Sequence, residues 1–393
     1  MNRNLHAARA AKQDEFYTQY VDIQKEVEAY LEFDPDTFRG KVVYCNCDDP
    51  FESNFFKSFA ANFNKLGLKK LVTTSYDGSP IAGQGTLFPE YHEGNGKRQK
   101  PKALAVILDH VKDEDGDGAA NIDDVKLFLK RNKAARIALK GNDKYPGGDF
   151  RSPECIALTK EAEIVVTNPP FSLFREYVAQ LMEHKKKFLI IGPKNGITYK
   201  EIFSLIKDTK LWLGVGFANG NAYFSIPAGS GRDFAEGVYD ENTGLVKFRN
   251  VGWFTNLDHG RRHQELPLMT MADNLKFSKH KEIKGKPAYD RYDNYDAIEV
   301  PFTDAIPSDY DGAMGVPITF LDRHNPDQFE ILGITDRDNN SGVKTKEYTE
   351  ADVPNFGDLN RRGVVRIGKN LKPTYARLLI RHRHTRPAKR TKK

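Results

Sequence analysis

Ile164-Val165-Val166-Thr167-Asn168-Pro169-Pro170-Phe171 decides how the rest of this 393-residue chain is read. Its first four residues form a short β-branched, largely apolar run, which predicts a buried strand. Neither Pro169 nor Pro170 can donate to a ladder, so the strand must end at Asn168. From Ser172 to His184, apolar side chains at 173, 174, 177, 178, 181 and 182 mark one face of a helix, with Ser172 as its N-cap. Asn-Pro-Pro-Phe is then a rigid link from the carboxyl end of a strand into a helix, where open α/β sheets hold their ligands.

The prolines fix the backbone, so the Asn168 amide oxygen and the Pro169 carbonyl can be aimed together. Two such oxygens suit the hydrogens of an exocyclic amino group, with the Phe171 ring stacked on the heterocycle that bears it. Adenine N6 is the natural fit. Its lone pair is delocalised into the ring, and two acceptors help localise it for in-line attack on a methyl sulfonium. The plain alternative is a proline turn with a packed phenylalanine. A tetrapeptide of this kind arises by chance in roughly one chain of this length in a hundred.

The motif resembles the (Asp/Asn/Ser)-Pro-Pro-(Tyr/Phe) signature of amino-group DNA methyltransferases. The longer run Val166 to Leu181, with Tyr44-Cys-Asn-Cys-Asp-Asp-Pro50 before it and Tyr292-Asp-Asn-Tyr-Asp-Ala-Ile298 after it, is similar to the EcoRI-type adenine-specific methyltransferase family. The resemblance covers residues 12 to 335. It implies S-adenosylmethionine as cofactor, Asn168, Pro169, Pro170 and Phe171 as the catalytic motif, and double-stranded DNA as partner. It also implies a Rossmann-like class I methyltransferase α/β sheet followed by a C-terminal mixed α/β target-recognition region. A cognate restriction endonuclease is a candidate partner, and methylating one strand at a time needs only a monomer.

Cofactor residues follow from the same resemblance. Phe16, Tyr17 and Thr18 form a block that packs over the methionine end of the cofactor in the family, although a helix-start cluster reads equally well from the residues alone. Lys41 to Cys47 predicts the first strand, ending at Asp48-Asp49-Pro50. No G-x-G follows it, unlike most nucleotide-binding sheets. S-adenosylmethionine carries a cationic ammonium and sulfonium and no phosphate, so Asp48 and Asp49 at the strand tip suit it. A helix is expected from Ser53 to Leu66, a second strand at Leu71 to Tyr76, and Asp77 beyond it is a weaker ribose candidate. Asp149 and Phe150 of Gly148-Asp-Phe are expected at the cofactor's adenine. Trp253 or Phe254 is expected to sandwich the extruded base opposite Phe171, against the alternative of a core aromatic.

Asp113, Asp115, Asp117 and Asp124 stand at positions 1, 3, 5 and 12 of a calcium-loop pattern with Gly118 at position 6, and flanking residues 104–111 and 125–129 are expected to be helical. Asp at position 12 and Ala at position 8 depart from that pattern. Structural Ca²⁺ is the expectation, with an acidic surface loop as the alternative.

Composition sets the frame. Hydrophobic residues make up 39% and charged residues 29%, the balance of a globular protein with room for a large core. No apolar stretch approaches the roughly 20 residues of a membrane span, so no membrane partner is expected and the location is read as cytoplasmic. Cys45, Cys47 and Cys155 form no metal-spaced set. Of the net charge of +6, eight cations lie between Arg377 and Lys393, which leaves −2 for the remainder. The expected organisation is a catalytic domain at 1–264 with the acidic insertion near 104–130, a target-recognition region at 265–376 and a basic tail at 377–393. Residues 364–367 and 376–381 are expected to pair as a hairpin before the tail, and the region beyond about 265, where Tyr289, Tyr292 and Tyr295 interleave with charges and no helical period shows, suits loops that read base edges. Two other readings remain open: methyl transfer to RNA or a protein glutamine amide, and a non-catalytic calcium-dependent DNA-binding module.

Overall fold

The computed structural model describes residues 17–47, 53–76, 103–117, 120–132, 135–217, 220–225, 237–336, 342–354 and 356–384. Phe16, Asp48, Asp49 and Asp77 lie outside them, and of Tyr17 only the backbone is described. The chain divides into two compact units, residues 1–196 with 213–259, and residues 197–212 with 260–393. The second unit thus takes in the helix Lys200–Lys207 as well as the chain from 260 onward.

The first unit is built on an eight-stranded sheet. Its strands are β2 (Val42–Cys45), β3 (Lys70–Thr74), β4 (Leu104–Leu108), β5 (Arg136–Ala138), β6 (Ile164–Thr167), β7 (Lys187–Pro193), β8 (Trp212–Leu213) and β12 (Val251–Thr255), in the order β5-β4-β3-β2-β6-β7-β12-β8. The pairs β3/β2, β2/β6 and β6/β7 are parallel, whereas β4/β3, β5/β4 and β12/β7 are antiparallel. Every residue of β2 and β6 is buried, as expected of a parallel sheet covered on both faces. The residues 104–108, expected to be helical, form strand β4. A five-residue apolar run fits either period, and pairing with β3 decides it.

Two helices follow β2 in place of the single one expected. Ser53 caps the helix Asn54–Ala61, which buries Phe55, Phe56 and Phe59, and a short second helix spans Phe63–Leu66. The break falls at Asn62, whose side chain donates to the Ser58 carbonyl at 2.9 Å, a local bond that competes with the helix ladder. A smaller antiparallel sheet joins β1 (Tyr17–Thr18), β9 (Ala222–Ser225), β11 (Leu245–Phe248) and β10 (Tyr239–Asp240) in that order.

The second unit holds the sheet β13 (Ala297–Glu299), β14 (Ala313–Pro317), β18 (Arg377–His382) and β15 (Phe329–Ile334), in the order β13-β14-β18-β15, and a separate hairpin of β16 (Val364–Ile367) and β17 (Asn370–Pro373). The expected hairpin partner is corrected: Val364–Ile367 pairs with Asn370–Pro373 and not with 376–381. The strand expected at 376–381 forms as Arg377–His382, with Leu378, Leu379 and Ile380 fully buried between β14 and β15. Residues 385–393 lie outside the described residues. Tyr289, Tyr292 and Tyr295 are all buried, and the Tyr292 hydroxyl donates to Glu299, which pairs with Arg377 at 2.7 Å. They build the core of this unit and are not available to base edges. Among the described residues no helix is long and apolar enough to cross a membrane.

Candidate active site

Strand order reverses at β2. The chain leaves β2 for β3 on one side, while β6, the next parallel strand, lies on the other. Ligands of open α/β sheets bind outside the carboxyl ends at such a point. Two residues emerge there, Asn46 after β2 and Asn168 after β6. The strands pair with Val43 opposite Ile164 and Tyr44 opposite Val165, and paired strands run about 4.8 Å apart, so the two strand ends are neighbours. The Thr167 hydroxyl donates to the Asn46 carbonyl and ties them directly. The buried Asn46 Oδ1 accepts from the Cys47 N–H at 2.8 Å and the Thr74 hydroxyl at 3.1 Å. Thr74 lies 3.0 Å from the Tyr44 hydroxyl, whose burial pushes its pKa well up and keeps it a donor. Three parallel strands are therefore stitched together at their carboxyl ends.

The turn after β6 is tighter than expected. Leu173 N–H bonds the Pro170 carbonyl at 3.0 Å, closing a 3-10 turn at Phe171–Leu173, and the α-helix runs Phe174–Glu183. Ser172 lies inside that turn, so it is not the helix N-cap; the cap position is Leu173, with no side-chain cap bond. Pro169 is buried, while Asn168, Pro170 and Phe171 are half-buried. Phe171 rests in part on the core, which leaves part of its ring accessible.

The segment Gly148-Asp149-Phe150 is carried onto the tip of β3. Its Asp149 is buried, and Arg151 holds the carboxylate through Nε at 2.9 Å, a terminal nitrogen at 2.8 Å and its own backbone N–H at 2.9 Å. The hydrogen bonds that Arg151 donates to Asp149, and the charges of Asp149 and Glu176, raise the Arg151 pKa further. Arg151 also reaches Glu176 on the helix Phe174–Glu183 at 3.2 Å. Gln180 of that helix donates to the Phe150 carbonyl at 3.0 Å, and the Phe150 ring packs edge-on against Tyr177 with centroids 4.9 Å apart. The helix that follows Asn-Pro-Pro-Phe thus anchors the segment expected at the cofactor's adenine.

On the other side, Thr18 is buried and its carbonyl accepts from Asn54 at 2.7 Å, at the start of the helix that follows Asp48-Asp49 in the chain. Trp253 and Phe254 are corrected from base-stacking residues to core residues. Both are buried, on opposite faces of β12: Trp253 packs on Phe55 and Phe217, and Phe254 on Phe174. Asn46, Arg151 and Glu176 were not singled out from sequence. Asn46 had a signal in its place at the first strand's end, whereas the pairing of Arg151 with Glu176, 25 residues on, had none.

The acidic loop does not assemble its four expected ligands. Asp124 is fully buried at the start of the helix Ile122–Arg131, where its carboxylate accepts the backbone N–H groups of Asn121 at 2.6 Å, Glu114 at 2.6 Å and Asp115 at 3.2 Å. Among the described residues Asp113, Asp115 and Asp117 cluster, with one oxygen from each within 4.8 Å of the others, against the six to eight oxygens calcium takes. The loop's own N–H groups occupy Asp113 and Asp115 as well. The Asp124 bonds, that from Asn121 foremost, hold its pKa below the usual carboxylate value. Such a group contributes stability above its unfolded pKa of about 3.9 that is lost as pH falls through the lower folded value. Asp124→Asn should therefore melt below wild type at pH 7, and the gap should close progressively below about pH 4. A gap unchanged by pH would contradict the assignment.

Comparison with known proteins identifies the family. The family model described as "Adenine-specific methyltransferase EcoRI" matches residues 4–383. The chain is 43% identical to the Type II methyltransferase M.EcoRI of Escherichia coli over 348 residues, 86% of this chain and 92% of that protein. It is 34% identical to the Type II methyltransferase M.MpnI of Mycoplasma pneumoniae over 331 residues, 84% of each chain. It is also 34% identical over 338 residues to M.MgeORF184P of Mycoplasma genitalium, covering 84% of this chain and 85% of that one. No solved structure matches. With a family model spanning nearly its whole length and close likeness to M.EcoRI across most of both chains, the chain belongs to the EcoRI family of adenine-specific methyltransferases.

Proposed function

We propose that this enzyme methylates N6 of an adenine extruded from duplex DNA, by direct transfer from S-adenosylmethionine, with Asn168, Pro169, Pro170 and Phe171 at the target base. Membership of the family gives the enzyme class, the use of S-adenosylmethionine and DNA as substrate; the residue roles are the added reading. The observation that carries it is the adjacency of Asn46 and Asn168 at the reversal of strand order, joined by the Thr167 hydroxyl.

The donor end of the site lies at β2. Both Asn46 Nδ2 and Thr18 Oγ1 are buried with no hydrogen-bond partner among the described residues. Such groups are costly unless a ligand answers them, and the methionine end of the cofactor carries a carboxylate and an ammonium that fit. Asp48, Asp49, Phe16 and Tyr17 are proposed beside them from their places in the chain, and Asp149 with Phe150 at the adenine end. S-adenosylmethionine, when bound, supplies a methyl group on an electrophilic sulfonium.

Asn168 and the Pro169 carbonyl accept the two hydrogens of the adenine amine and hold its lone pair out of the ring plane. Phe171 stacks on the base, helping to offset the few kcal/mol that extrusion costs. The N–CH3 bond would form as the S–CH3 bond of the sulfonium breaks to leave a neutral thioether, and the amine would release one proton to solvent, with no general base required. The residues 265–376 are proposed to contribute target recognition, and the two-unit division leaves them in a unit of their own with 197–212, 260–264 and 377–393. The setting is a restriction–modification pair with a cognate endonuclease, and a monomer suffices.

Tritium transfer tests this reading on three substrates side by side: mixed-sequence duplex DNA, RNA and a glutamine-containing peptide. Label recovered as N6-methyladenine from duplex alone is the expected result. Label in RNA or glutamine and none in duplex would overturn it.

A further inference from the structure

Val364 and Val365 at the base of the hairpin β16–β17 are buried, and the outer half stands in solvent. The base is fastened by the Val364 N–H to Asn294 Oδ1 at 2.9 Å, the Asp293 N–H to the Val364 carbonyl at 2.7 Å and the Thr374 N–H to the Gly363 carbonyl at 2.8 Å. Beyond it Arg366, Ile367, Gly368, Lys369, Asn370 and Lys372 are all exposed. Ile367 pairs with Asn370 across a two-residue turn in which Gly368 has φ +59°. A Cβ there would meet nothing within 4 Å, so glycine is required by the turn and not by packing.

The chemistry of the tip is that of a nucleic-acid contact. No Asp or Glu occurs from Leu359 to the C-terminus. Lys369 and Lys372 form no ion pair among the described residues, unlike Arg366, which Asp293 holds at 2.9 Å. Ile367 is 55% exposed at the tip of a well-fastened element, where the fold gains nothing from an aliphatic side chain.

We propose that this hairpin is a reading ribbon whose turn, Ile367 to Asn370, enters the major groove of the target duplex. The inference deepens the proposed recognition of DNA and rests on it. A two-stranded ribbon fits a groove about 12 Å wide. There Asn370 pairs with adenine N6 and N7 or Lys369 with guanine O6 and N7, Ile367 meets a thymine methyl, and Lys372 neutralises a phosphate.

The test uses the full chain and the target site identified from the methylated positions of mixed-sequence DNA. Binding and kcat/KM are measured on that duplex and on its single-base variants for wild type, Lys369→Ala, Asn370→Ala and Lys372→Ala. Melting and S-adenosylmethionine calorimetry serve as controls expected not to move. Lys369→Ala or Asn370→Ala should erase about 5- to 150-fold of discrimination at one or two base positions. A 7-deazapurine at those positions should weaken wild type and leave the matching variant indifferent. Lys372→Ala should weaken all sequences alike and lower the salt slope by about one. If Lys369→Ala and Asn370→Ala also act uniformly across sequences, or do nothing, the ribbon does not read bases and the proposal fails. Should wild type methylate no DNA, the methyltransferase reading fails instead, and binding to duplexes of defined sequence still decides the ribbon.

Discussion

Gly148→Val is expected to lower stability by roughly 4 kcal/mol, through backbone strain and overpacking together. A Cβ at Gly148 would lie 1.8 Å from the Ser75 carbonyl oxygen and 2.8 Å from Tyr76 Cα, and both are backbone atoms at the end of a sheet strand. Ser75 cannot recede easily, because its N–H bonds the Leu104 carbonyl at 2.9 Å. The φ of +77° at Gly148 adds a second cost to any branched side chain. Since Asp149 and Phe150 follow directly, the fraction that still folds should bind S-adenosylmethionine more weakly. Denaturant unfolding followed by calorimetry on the folded protein measures both effects. A variant that unfolds at the wild-type midpoint would mean that the segment does not press against β3.

Asn168→Ala carries the second large effect, on chemistry instead of folding. Removing one preorganised polar partner of a reacting group lowers turnover by about 100- to 1,000-fold. Asn168 is half-buried and follows the last residue of β6, and melting and cofactor binding measured on the same variant separate a loss of chemistry from a loss of fold. Asn168→Asp keeps an acceptor oxygen and should retain more activity than alanine. Equal loss in both variants would point to the amide's donor hydrogens, a different mechanism from the one proposed.

The contrast between these residues and the rest of the chain shows what a sequence can carry. Ile164 to Phe171 was legible because everything that shapes it is local: β-branching, two prolines, and a helical period immediately after. The four buried residues of β2 and the Phe-rich helix after Ser53 were legible for the same reason. Asp124 was misread because a carboxylate at the right spacing looks the same whether it faces an ion or the backbone N–H groups of Glu114, Asp115 and Asn121.

Long-range partners account for the other errors. Tyr292 looked like a surface aromatic among charges, yet its ring fills space left by two distant glycines, Gly315 and Gly363. The strand at 376–381 was legible but its partners were not, because nothing nearby announces that β14 and β15 close over its leucines. Trp253 and Phe254 alternate across a buried strand, and only the neighbours Phe55 and Phe174 show that both faces are occupied. The Asp149–Arg151–Glu176 chain needed a contact spanning 25 residues. A local pattern gave the reaction; the supports around it required the fold.

The central claim is that Asn168, at the end of β6, holds the amine of an extruded adenine for methyl transfer. The most direct measurement is a single-turnover transfer of tritiated methyl to the target duplex by wild type and by Asn168→Ala, with the product nucleoside identified and cofactor affinity measured on the same preparations. Labelled N6-methyl-2′-deoxyadenosine is expected from wild type, and a rate at least about 100-fold lower from the variant at unchanged cofactor affinity. Wild-type turnover in Asn168→Ala, or label on any other base, would contradict it.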